Sequence, residues 1–162
     1  MIRLAVLVVL AQVAGCATSQ PTPEPVPELG PPVLPSGEAA ARPDALDEAM
    51  ARWETAGFEA YQMTLRRSCF CPSPDYTGPF DVTVRDGEIE AVRLEGAEVD
   101  AERALTVGDL FDLLEEAYER GAVTVNVTFD PEAGYPTELY IDYDERMADE
   151  EIGYTVSDVE AL

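Results

Sequence analysis

Cys69 and Cys71, with one residue between them, and a large surplus of carboxylates are the groups in this chain best suited to chemistry: 33 acidic residues stand against ten arginines. The sequence has no lysine and no histidine. Without imidazole there is no Ser-His-Asp or Cys-His arrangement and no histidine-containing zinc site. Without lysine, Schiff-base chemistry, a Ser-Lys dyad and a phosphate-loop lysine are excluded. Catalysis would have to run on carboxylates, tyrosines, arginines or thiols. Two nearby thiols in an oxidising compartment invite a disulfide. In a flat strand their Cα atoms would sit about 6.6 Å apart, near the upper limit for a bridge. A local bend is therefore required, and Pro72 and Pro74 favour one. A reduced or differently paired state stays open beside the disulfide, as does a redox-active or metal-linked pair. Arg66 and Arg67 are the nearby cations that would lower a thiol pKa.

The acidic run Asp142, Asp144, Glu145, Asp149, Glu150 and Glu151 could gather calcium, with Asp142, Asp144, Asp149 and Glu150 as the candidate ligands. It lacks the glycine and the fixed spacing of a known calcium loop, and a solvated edge is the plainer reading. Asp130-Pro131-Glu132-Ala133-Gly134 reads as a hairpin turn, not a metal loop. Trp53 and the seven tyrosines could line a sugar- or peptide-binding face, but at these periods aromatics fill cores first. Tyr140 and Tyr143 fall on opposite faces of their strand. A carboxylate pair for glycoside hydrolysis cannot be chosen among so many acids without geometry. No residue is nominated as catalytic, and no cofactor is expected.

The third cysteine carries a different chemistry. Arg3 precedes an apolar run from Leu4 to Leu10, and Val13-Ala14-Gly15-Cys16 closes it. The apolar stretch is far shorter than the ~20 residues of a membrane-spanning helix. A short, positively started, apolar N-terminus ending in small residues is a processing segment. It resembles a bacterial lipoprotein signal, which implies acylation of Cys16 as the first residue of the mature chain. Each buried CH₂ of an acyl chain contributes about 0.8 kcal/mol, and stable anchoring takes more than one chain. Ala17 after the cysteine resembles outer-membrane sorting in an envelope with two membranes. Residues 1–15 are thus expected to be removed. Arg3 is the one charge among them, so the net charge moves from −23 to −24. Such a charge repels nucleic acid and anionic headgroups, so neither is an expected partner.

Residues 16–42 form the acylated cysteine and its tether. Pro21, Pro23, Pro25, Pro27, Pro31, Pro32 and Pro35 alternate with small or acidic residues. Proline-rich tethers favour extended chain at about 3.1 Å per residue, a reach of roughly 80 Å here. Residues 43–162 suffice for one domain with a modest core. A helix is expected near 44–56, from Leu46, Met50 and Trp53 after Pro43-Asp44, with Gly57 at its end. Tyr61, Met63 and Leu65 alternate as a strand. Phe80, Val82 and Val84 make another, and Asp86-Gly87 turns it into a return strand with a bulge near Ala91-Val92. Thr106 and Asp109 resemble a capping box before Val107, Leu110, Phe111, Leu114 and Tyr118. Val123 to Phe129, Leu139 with Ile141, and a last strand with Ile152, Tyr154 and Val156 supply the remaining strands. The order α-β-β-β-α-β-β-β predicts an α+β fold: an antiparallel sheet of about five to six strands with two helices on one face.

With these residues placed, the domain resembles a family of small bacterial envelope proteins known only as a domain of unknown function. The resemblance rests on Trp53 and Tyr61, Cys69-x-Cys71, Asp86-Gly87 and Leu110-Phe111. Asp130 through Gly134-Tyr135-Pro136 and Asp149-Glu150-Glu151 complete it. It covers about residues 45–160 and implies a lipoprotein with an α+β domain; it transfers no activity. The sequence thus points to a lipid-anchored envelope protein, a monomeric domain that binds a protein or peptide, or serves a structural role. An exposed sheet edge could accept a partner's strand. A thiol-redox or carboxylate-based envelope enzyme is the rival reading.

Overall fold

The computed structural model describes Ala40, residues 42–147 and residues 149–162. Cys16, the 1–15 signal and the tether up to residue 39 lie outside the described residues. Among these residues two α-helices and seven strands follow one another: α1 (Asp44–Ala56), β1 (Ala60–Cys69), β2 (Phe80–Arg85), β3 (Glu88–Leu94), β4 (Ala97–Glu98), α2 (Val107–Glu119), β5 (Thr124–Phe129), β6 (Pro136–Asp142) and β7 (Ile152–Ala161). All seven strands form one antiparallel sheet in the order β4-β3-β2-β1-β7-β6-β5. The α+β class is as the sequence indicates, with seven strands in place of five to six. The extra strand is β4, two residues long, which no alternation could announce.

Local chemistry accounts for most boundaries. Asp44 and Asp47 sit in the first turn of α1, where carboxylates complement the helix dipole. Gly57 ends that helix at φ 63°, its N–H donating to the Trp53 carbonyl. The Thr106 hydroxyl accepts from the Asp109 N–H while the Asp109 carboxylate accepts from the Thr106 N–H, a complete capping box at the start of α2. Asp86 and Gly87 both have positive φ, the conformation that a two-residue hairpin needs. The bulge on β3 falls one residue before the expected place. Thr83 faces Ala91 and Val84 faces Ile89, so Glu90 is the extra residue.

One face of the sheet is buried. Tyr61, Met63, Leu65, Phe80, Val82, Val84, Leu139, Ile141, Tyr154 and Val156 point into it, and Leu46, Ala49, Leu110 and Leu114 of the helices cover them. Fully burying a side chain such as Leu65, Leu110 or Phe80 contributes roughly 1.5–3 kcal/mol. At Gly134 the chain approaches α1 so closely that a Cβ would run into the Ala49 carbonyl oxygen. The opposite face carries Gln62, Arg66, Asp81, Asn126, Thr128, Glu138, Thr155 and Ser157, all exposed. Among the described residues no helix is long and apolar enough to cross a membrane.

Candidate functional site

Cys69 ends β1 beside Ile152 of β7 and is joined by a disulfide to Cys71, their Cα atoms 5.1 Å apart. The bend that shortens this span comes where β1 stops. A 3₁₀ turn at Pro74–Tyr76 follows, and the Arg67 N–H returns to the Thr77 carbonyl at 2.9 Å. Arg103 holds the loop from outside, donating to the Asp75 carbonyl at 3.0 Å with its guanidinium 4.9 Å from the Tyr76 ring centre. Phe70, between the two cysteines, is 84% exposed, an aromatic held out on a small covalent ring. The ring encloses so few residues that chain-entropy arguments give it only about 1.5 kcal/mol of stabilising effect. Its consequence is local geometry.

Both cysteines are half-buried. Arg67 lies on the same strand face as Cys69, its guanidinium 5.3 Å from the centre of the Tyr154 ring. Burial pushes the Tyr154 phenol up, and Arg67 opposes that shift. The Arg67 Nε is buried with no hydrogen-bond partner among the described residues. Ser68, Cys69, Phe70, Tyr140 and Glu151 line a shallow depression beside the disulfide.

Two carboxylates at the end of β6 and in the acidic loop after it, Asp142 and Asp144, bond within the loop. Asp142 is buried and its Oδ1 accepts from the Asp144 N–H. Asp144 is paired with Arg146 at 2.9 Å, and that hydrogen-bonded guanidinium holds its carboxyl below the usual range. Asp149 and Glu150 are exposed further along the loop. Among the described residues no three metal-ligating side chains are grouped to hold an ion. The Asp130 carboxylate likewise accepts from the Glu132 and Ala133 N–H groups, bracing the turn between β5 and β6.

Most aromatics are structural. The Tyr61 hydroxyl accepts from the Val107 N–H at the start of α2, and Trp53 packs against Phe58, Tyr61 and Tyr135. Tyr143 sits under the Arg120 guanidinium at 4.3 Å. Tyr140, by contrast, is half-exposed and pairs with the exposed Asn126 of β5.

Strand β5 is the feature that residue-by-residue reading cannot supply. It ends the sheet, and among the described residues no strand pairs with its outer side. Val123 to Phe129 reads Val-Thr-Val-Asn-Val-Thr-Phe, without charge, proline or glycine. The opposite edge is blunted by the two-residue β4 and by Glu88, Glu90 and Arg93 on β3. Beside β5 runs a groove lined by Pro43, Tyr118, Val125, Val127, Glu138 and Tyr140, among others.

These features define a two-layer α+β domain with helices on one sheet face, a polar second face and one uncharged edge strand, β5, whose preceding Ala122 carbonyl accepts from the Ala40 N–H and which, among the described residues, pairs with no strand on its outer side. The chain belongs to the Family of unknown function (DUF6174), which matches residues 45–161. No curated protein and no solved structure matches it.

Proposed function

We propose that this chain is a bacterial envelope lipoprotein, acylated at Cys16, whose domain is a non-catalytic module that binds a protein or peptide. The address rests on the apolar N-terminus and Val13-Ala14-Gly15-Cys16. In an envelope with two membranes, Ala17 favours the outer one. A disulfide at Cys69 and Cys71 suits the oxidising side of a membrane. The single observation that supports binding is the unguarded β5 edge. Folded proteins ordinarily blunt sheet edges with charge, proline or shortness, and among the described residues this one does so on β3 and β4 but not on β5. A photo-reactive residue at position 126, in the chain expressed in its native envelope, should give discrete adducts, and one at position 90 should give none. Equal adducts from both positions, or none from either, would contradict the reading.

The rival reading, an envelope thiol-redox enzyme, draws on the half-buried cysteines beside Arg67. Incubating the native chain with millimolar reduced glutathione separates the two. An alkylatable pair favours redox chemistry, and an inert one favours the binding module.

A further inference from the structure

Resting on the binding-module reading, we infer that β5 is the docking edge and that its occupant is an extended basic polypeptide segment, added to the sheet as an eighth strand. Backbone pairing supplies affinity in strand addition, while pockets for alternate side chains supply selectivity. The groove along β5 has two unlike walls. On the helix side, Val125 and Val127 share the face of their buried partners Ile141 and Leu139, and Pro43 and Tyr118 extend that apolar wall. On the open side, Glu138 is exposed opposite Thr128, and Tyr140 stands opposite Asn126. Successive side chains of an added strand point to alternate faces. A segment alternating β-branched with basic residues would therefore place its aliphatic groups against the first wall and its cations against the second.

Charge selects among occupants. Glu119 at the end of α2, and Asp130 and Glu132 in the turn after β5, flank the edge, while the nearby Arg42 and Arg120 are already paired with Glu115 and Glu116. The whole chain carries −23, so a second copy approaches against repulsion. A basic segment is drawn in by the same field.

The test uses the full chain in detergent. The probe is a decapeptide alternating arginine with valine, accompanied by a glutamate-valine counterpart. Two further arginine peptides carry N-methyl groups on the odd or on the even amides. The arginine peptide should slow exchange at least tenfold at those amides of residues 123–129 that point away from β6. Only one of the N-methylated peptides should retain binding, because an edge strand turns every second amide toward its neighbour. The glutamate peptide should bind at least tenfold more weakly. Asn126→Lys with Thr128→Lys, both at exposed positions, should abolish the protection. Equal binding of both N-methylated peptides would overturn the inference, since it would mean charge attraction without pairing. Protection elsewhere on the domain, with β5 unchanged, would overturn the edge assignment yet leave the binding-module reading standing. Slow exchange, in the free chain, of the β5 amides that point away from β6 would also overturn it. Loss of that protection on dilution would identify a second copy as occupant, and loss on deleting residues 17–39 would identify the tether.

Discussion

Tyr61 shows how a residue's role can depend on a partner far away in sequence. Its ring is core, 3% exposed, and its hydroxyl accepts at 3.0 Å from the Val107 N–H. The first amides of a helix have no partner within the helix, so this bond satisfies one of them. Tyr61→Phe keeps the ring and strands the amide in a buried place. The expected cost is about 1–2 kcal/mol, read as a lower urea midpoint with unchanged slope. An unchanged midpoint would show that another group satisfies Val107. The apolar alternation of Tyr61, Met63 and Leu65 puts Tyr61 on the inward face of β1. Its hydroxyl partner lies 46 residues on, and no local pattern carries that information. The capping box at Thr106 and Asp109 was legible because both partners fall within one helical turn.

At the scale of elements, the disulfide tip behaves unlike most bridges in secreted domains. It joins residues separated by two positions, so it removes little freedom from the unfolded chain. Replacing both Cys69 and Cys71 by serine should lower stability by only about 1–2 kcal/mol and leave the far-ultraviolet spectrum unchanged. Unfolding of the double variant at 37 °C would mean the bridge carries far more than loop closure. Helices α1 and α2 were readable because caps and apolar spacing agree over several turns. The last strand in sequence, β7, lies inside the sheet, paired with β1 on one side and β6 on the other. Its pattern is broken at Asp158, which has φ 55° where the β1–β7 register shifts. A bulge puts two residues opposite one, so the alternation that identifies strands changes phase. Strand β4 is too short to have a period at all.

At the scale of the whole molecule, the proposed binding role turns on which strand lies outermost, and β1–β7 pairing decides that. Tyr61 faces Ala161 and Cys69 faces Ile152, joining two meanders across almost the full length of the domain. Each meander could be read from its turns, but their junction could not, and so neither could the exposure of β5. The sequence did show that a strand with no charge runs from Val123 to Phe129. Only the sheet order makes it an edge. That edge serves an envelope partner only if the domain is held outside the cytoplasm, so acylation is the claim on which location and role both rest. Intact mass analysis of the chain from the membrane fraction tests it most directly. The account predicts a polypeptide that begins at Cys16 and carries more than one acyl chain. A chain beginning at Met1, or an unmodified Cys16 in the soluble fraction, would contradict it.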